Sequence, residues 1–223
     1  MNEKEQVAKE AIKYIKDGMI IGLGTGSTAN LFIDFLSAKV KQESLNIKVV
    51  ASSTVSQIRA INSGLSYISL DQIESIDLYI DGADEVTKEL EVLKGRGYDL
   101  VREKLLAKTS KQFIVIGDKS KMVAKIGEKF PIPIEITPIA WKIAKKLITE
   151  ISQKCDLRPN AAGDAYAITS YGNYVLDCEF KYDDLSKLAS EISQIPGVIE
   201  HGIFLDMTHL ALIADQGNIM KYS

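Results

Sequence analysis

Histidine and cysteine are scarce in this chain: His201, His209, Cys155 and Cys178 are the only ones in 223 residues. Two histidines do not furnish a His-rich metal site or a conventional Ser/His/Asp triad, and each reads as a surface or satisfied core side chain. Two cysteines without metal-ligand spacing are too few for a disulfide framework. Also missing is any apolar run of the length a membrane span requires. Residues 1–16 carry the polar pattern of an amphipathic helix instead of a signal peptide, so a cytoplasmic protein with no membrane partner is expected. Positive charge is not in excess either. At a net charge of −3 the chain has no global field for nucleic acid, and any phosphate must be held by local geometry. Chemistry would then run on carboxylates, lysines and backbone amides.

What is present begins with length. A chain of 223 residues holds about 1.5 domains on average, room for a large domain and a smaller companion. Short apolar stretches at 19–21, 47–51, 76–80 and 113–116 read as buried strands. Between them run helical periodicities: Val7, Ala8, Ala11, Ile12 and Ile15; Ala29, Leu31, Phe32, Phe35 and Leu36; Val55, Ile58 and Ile61. Strands alternating with helices imply a parallel sheet with right-handed crossovers, an α/β Rossmann-like domain.

Polar clusters recur where these strands end. The first strand runs into Gly22-Leu23-Gly24-Thr25-Gly26-Ser27-Thr28 and then a helix, the layout of an anion cradle in which glycines let the backbone approach and free N–H groups point at negative charge. Ser27 stands where a dinucleotide fingerprint needs its third glycine, and no Gly-Lys pair forms a Walker A loop, so neither cofactor is expected. A small phosphorylated metabolite fits better. The third strand stops at Asp81-Gly82-Ala83-Asp84-Glu85, with Lys94 and Glu103 in the connection that follows, and the fourth ends in Gly117-Asp118-Lys119-Ser120-Lys121. In open α/β sheets ligands bind beyond the carboxyl ends of strands, so these groups are the candidate acid/base site. If the segment from Asp99 is helical, Leu100, Leu106 and Ala107 flank Glu103. Burial there would raise its carboxyl pKa and make it a better base.

After Lys125 the pattern changes. Residues 131–136 are extended, Thr137-Pro138 opens a helix with Ile139, Ile143, Leu147, Ile148 and Ile151 on one face, and 166–169 and 174–180 read as strands around a turn at 170–173. A helix from Asp184 to about Ile195 and a strand at 198–200 complete a β-α-β-β-α-β order, the ferredoxin-like split unit. Leu210 to Ala214 reads as a strand returning to the first sheet. The expected division is therefore 1–127 plus 203–223 as the Rossmann-like domain, with 128–202 inserted as a smaller α+β domain.

Taken together, Gly24-Thr25-Gly26-Ser27-Thr28-Ala29, Asp81-Gly82-Ala83-Asp84-Glu85, Leu93-Lys94-Gly95, Arg102-Glu103-Lys104, Asp118-Lys119-Ser120-Lys121 and Pro196-Gly197-Val198-Ile199-Glu200 with Gly202 give a chain that resembles ribose-5-phosphate isomerase of the A type over nearly its whole length. The resemblance implies reversible conversion of D-ribose 5-phosphate to D-ribulose 5-phosphate without metal or cofactor, in a homodimer or homotetramer. It makes Glu103 the base that moves a proton between C2 and C1 through an enediolate. Asp81 and Asp84 would serve ring opening and proton traffic at the hydroxyls, and Lys94 would steady negative charge. Thr25, Gly26, Ser27, Thr28 and Lys121, with Gly82, Ala83, Gly95, Arg96 and Gly97, would hold the substrate and its phosphate.

Two departures from the family pattern stand out. Arg96 and Tyr98 replace residues of a glycine-rich run, adding bulk near the expected substrate. Ser170-Tyr171 replaces an Asp and an Asn, in a turn expected to affect assembly or rigidity more than chemistry. Two other readings stay open on sequence: a non-catalytic sugar-phosphate sensor, and another sugar-phosphate enzyme on a related fold, such as an amino-sugar phosphate deaminase or a lactonase.

Overall fold

In the computed structural model, which describes residues 2–223, the chain opens with helix α1, Glu3–Ala11. Asn2 caps it, accepting from the Glu5 amide while the Glu5 side chain accepts from the Asn2 amide. Strand β1 (Ile20–Leu23), helix α2 (Ser27–Glu43), strand β2 (Lys48–Ala51), helix α3 (Thr54–Asn62) and strand β3 (Leu78–Asp81) follow in alternation. Two short strands, β4 (Glu85–Val86) and β5 (Val92–Leu93), lead to helix α4 (Leu100–Thr109) and strand β6 (Phe113–Asp118). Each of the main strands is parallel to its neighbour, as strand-helix-strand crossovers require.

The chain then builds β7 (Ile132–Ile136), α5 (Trp141–Thr149), β8 (Lys154–Leu157), β9 (Tyr174–Glu179), α6 (Leu185–Ser193) and β10 (Val198–His201) before returning through β11 (Ile203–Phe204), β12 (Leu210–Asp215) and β13 (Asn218–Tyr222). Strand β12 lies parallel to β6, and β13 folds back on it, giving a six-stranded sheet in the order β13-β12-β6-β3-β1-β2. A separate antiparallel sheet has the order β10-β7-β9-β8, which is the split β-α-β-β-α-β arrangement. A small third sheet, β11-β5-β4, lies beside Lys94, whose amide donates to the Gly202 carbonyl at 3.0 Å.

Alternation along β3 sorts its side chains between two layers. Leu78 and Ile80 join a core with Val7, Phe32 and Leu36 under α1 and α2, whereas Tyr79 joins the opposite core with Leu100 and Leu106 of α4. Asp81 shares the parity of Tyr79, and the Tyr79 hydroxyl donates to it. The strand therefore delivers its terminal carboxylate to the layer that carries Glu103.

One expectation needs correcting, and two expected stripes lie on exposed faces. Residues 166–169 make only isolated bridges, Pro159 with Tyr166 and Ile168 with Tyr174; the partner of β9 is Lys154–Leu157. The segment 166–169 alternates, Ala167 and Thr169 buried and Tyr166 and Ile168 56% and 60% exposed, but it forms no continuous ladder, and β8, alternating charged and apolar residues over just four positions, takes the place beside β9. The stripe Val55, Ile58 and Ile61 is exposed, and α3 buries Ser56 and Ala60 instead. On α5 the inward residues are Ala144 and Ile148, while Ile143, and Ile139 (93% exposed) in the short turn before the helix, look outward. Periodicity identifies an apolar face without saying what covers it.

Cys155 and Cys178, which had no pairing signal, are directly opposed across β8 and β9 with Cα atoms 4.1 Å apart and are joined as a disulfide. Among the described residues, no helix is long and apolar enough to cross a membrane, and no cluster of His, Cys, Asp and Glu could hold a metal ion.

Candidate active site

The turn from β1 into α2 is shaped by a contact that excludes any side chain larger than hydrogen. A Cβ at Gly24 would overlap the carboxylate of Asp81, and Gly26 adopts φ 106° as it enters α2. The Thr25 amide donates to Asp81 at 3.0 Å, tying the two strand ends together. The Thr25 hydroxyl is engaged by Ser52, Ser53 and Ser56, and Ser56 in turn donates to the Gly24 carbonyl at 2.6 Å. The serines at the end of β2 thus brace the loop from behind. Ser27 and Thr28 begin α2, where unpaired amides favour an anion. Lys4 reaches across from α1, its Nζ donating to the Ser27 hydroxyl at 2.9 Å.

Beyond the loop lies a cavity of about 420 Å³, walled by residues 25–28, 82–84, 94–97 and 116–118 together with Lys4, Glu103, Ser120 and Lys121. Lysines and carboxylates are interspersed around it, Lys4 and Lys121 near Asp118, and Lys94 beside Glu103. Asp84 and Glu103 are both pushed up in pKa chiefly by burial, the lysine at position 94 partly opposing the shift. Glu103 is raised to about 7, with the charges of Asp81 and Asp84 reinforcing burial. Its Oε1 lies 3.4 Å from Lys94 Nζ, and its Oε2 has no hydrogen-bond partner among the described residues. Leu100, Leu106 and Ala107 surround it, all buried.

Lys94 stands between the carboxylates. Its Nζ donates to the Gly82 carbonyl at 2.7 Å and pairs with Asp81 at 2.9 Å. Burial by itself would depress the ammonium, but Asp81, Glu103 and Asp84 more than offset that and hold its pKa above the ordinary lysine value. A fixed cation thus sits beside a carboxylate that titrates near neutrality, the pairing required to draw a proton from carbon while stabilising the resulting oxyanion.

Of the residues singled out in the sequence, Thr25, Gly26, Ser27, Thr28, Gly82, Ala83, Asp84, Lys94, Gly95, Arg96, Gly97, Glu103 and Lys121 converge on this one cavity. Asp81 does not line it. Fully buried, it accepts from Thr25, Gly82 and Tyr79 and meets the cavity through Lys94. Glu85, last of its motif, faces elsewhere and accepts from the amides of Gly127, Lys129 and Phe130. Arg96 lies against Phe130, its guanidinium carbon 4.0 Å from the ring centre. Tyr98 is outside the lining residues, so the extra bulk near the cavity comes from Arg96. Lys4 was missed, since nothing in the spacing of α1 distinguishes it. It enters because α1 packs against α2 and β6. Asp118 and Ser120 belong to the cluster already noted after β6.

Comparisons with known proteins place the chain in a family. Residues 48–218 match the family model for ribose 5-phosphate isomerase A (phosphoriboisomerase A). The chain is 38% identical over 220 residues to ribose-5-phosphate isomerase A of Thermococcus kodakarensis, covering 98% of this chain and 96% of that protein. To the enzyme of that name from Enterococcus faecalis it is 41% identical over 214 residues, covering 96% and 94%. A solved structure of D-ribose-5-phosphate isomerase in complex with phospho-erythronic acid superposes with a TM-score of 0.95 at 39% identity, covering 99% of each chain. Ribose 5-phosphate isomerase A from Methanocaldococcus jannaschii gives 0.93 at 36%, covering 98% and 96%. With a family model matched over most of its length and relatives aligned nearly end to end, this chain belongs to the ribose-5-phosphate isomerase A family.

Proposed function

We propose that the protein interconverts D-ribose 5-phosphate and D-ribulose 5-phosphate by proton transfer through an enediolate, the aldose-ketose step of the non-oxidative pentose phosphate pathway. The observation that carries the reading is a buried glutamate, Glu103, raised to about 7, facing the same cavity as Lys94 and the loop at 25–28. Lys4, Ser27, Thr28 and Lys121 would hold the phosphate. With the aldehyde at the other end, Glu103 takes the C2 proton as electrons move into the C1 carbonyl, and Lys94 balances the oxygen that becomes negative. Returning the proton to C1 while the proton of the C2 hydroxyl passes to the oxygen on C1 yields the ketose. Asp84, on the cavity wall, fits the transfers at the hydroxyls. Asp81 fits a supporting task, keeping Lys94 charged and in place. In this proposal residues 128–202 form the companion domain, and the protein works in the cytoplasm.

The decisive measurement is turnover of ribose 5-phosphate in D₂O with chelator present. Ketose should form, with solvent deuterium entering at carbon. Binding without product would leave a sugar-phosphate sensor and sink the enzymatic reading.

Self-association belongs to the same proposal. Two separate surfaces, Val55, Ile58 and Ile61 on α3 and Ile139 and Ile143 at the start of α5, carry aliphatic side chains all more than half exposed, and a second copy of the chain could cover either of them. Light scattering on the purified protein should give a mass of two or four chains, against 24.6 kDa for one. A monomer at micromolar concentration would contradict it.

A further inference from the structure

The wall of the cavity between Lys94 and α4 is gripped from outside by one guanidinium. Arg158 follows β8, and its side chain is only 11% exposed. Its Nε and Nη2 donate to the two carboxylate oxygens of Asp177 on β9 at 2.9 and 2.5 Å. The remaining end, Nη1, donates to three consecutive carbonyls, those of Gly95 at 2.9 Å, Arg96 at 3.2 Å and Gly97 at 3.0 Å. The fork itself is anchored by its backbone, since the Arg158 amide donates to Val175 and its carbonyl accepts from Ala167.

Carbonyls drawn to one side of a loop leave amides free for the other. The Arg96 amide does this, donating to Asp84 Oδ2 at 3.2 Å on the cavity wall. Gly95 makes the bend possible, with φ 98° and no room for a Cβ against Leu100 and Pro133. The same layer holds the residues that follow. Ser170 donates from its amide to the Tyr98 carbonyl at 3.1 Å and from its hydroxyl to Asp99 at 2.5 Å, immediately before the helix that carries Glu103. The turn containing Ser170, expected to influence assembly or rigidity, is thus joined to the site.

We infer that Arg158, braced by Asp177, is a positioning residue that fixes the loop at 95–97 and through it the placement of Asp84 and Lys94 toward substrate. The antiparallel sheet is then a working part of the active site. Lysine cannot replace it, because a point charge cannot bridge a carboxylate and three carbonyls at once. The inference rests on the isomerase reading for its activity arm alone.

The test compares the full-length parent with Arg158→Lys by steady-state kinetics and by amide hydrogen exchange. The expected loss in kcat/KM is about 10- to 100-fold, the scale of misplaced substrate-facing groups. Exchange at the Arg96 amide, which donates to Asp84, should quicken by about tenfold or more while β8 and β9 stay as protected as in the parent. Should Arg158→Lys not fold, Asp177→Asn takes its place, loosening the fork with Arg158 retained, and the same localised exchange is expected. Unchanged exchange at the Arg96 amide, kcat/KM within about threefold of the parent, or quickening shared by β8 and β9 would each overturn the inference, the last by reducing Arg158 to an ordinary structural contact. A parent that never converts ribose 5-phosphate sinks the isomerase reading, and the exchange pattern then decides the hold of Arg158 independently.

Discussion

Glu103→Gln should fold as the parent does and lose about 10²- to 10⁴-fold in turnover, equivalent to about 3 to 5.5 kcal/mol of barrier. The amide keeps the shape of the side chain among Leu100, Leu106 and Ala107 but cannot accept a proton from carbon. The working form of Glu103 is the deprotonated one, so kcat/KM of the parent should climb as pH rises through about 7, and the variant should lose that limb. Stability changes in the opposite sense. A folded pKa above the ordinary 4.5 means that the contribution of this group is fully present below about 4.5 and is lost as pH rises through about 7. Glutamine, always neutral, escapes that loss. Urea midpoints should therefore move in favour of Glu103→Gln on going from about pH 5 to about pH 8. Turnover within about tenfold of the parent would remove Glu103 from the role of base.

Lys94→Met is expected to do its greatest damage to folding. Methionine fills the space of the lysine stem, yet it leaves Asp81, which is fully buried, without the cation 2.9 Å away. Removing one partner of a buried pair costs about 3 to 5 kcal/mol, because the remaining charge has no compensation. Activity should vanish as well, since Glu103 loses the one neighbour that draws its pKa down. Adding Asp81→Asn to Lys94→Met should recover part of the lost stability. A double-mutant cycle by chemical denaturation measures that coupling, and a single variant within about 1 kcal/mol of the parent contradicts the assigned charge balance.

Much of this site could be read from one dimension. Four strands ending in polar clusters placed the cradle, the acidic motif and Lys121 along one edge of a sheet, and the spacing of Leu100, Leu106 and Ala107 around Glu103 foretold its burial. Such features depend on neighbours three or four residues away, or on strand ends that topology must gather. Other features depend on distant partners. Arg158 finds its three carbonyls more than 60 residues earlier in the chain, and Lys4 finds Ser27 through the packing of α1 on α2. Asp81 looked like a substrate ligand because its motif is shared with Asp84, but strand parity turned it to Lys94. The stripes on α3 and α5 carried a correct periodicity without a destination, since a hydrophobic face is equally satisfied by this chain or by another.

The two-layer sorting of β3 ties catalysis to folding more tightly than either sheet or motif suggests. Lengthening this strand by one residue ahead of Asp81 would exchange the destinations of everything beyond the insertion. The carboxylate would arrive under α1 and α2, among Phe32 and Leu36, and Lys94 would face a hydrocarbon neighbour. Evolution can vary the loops at either end of the strand, but not its count by one: the chemistry is indexed to the pleat.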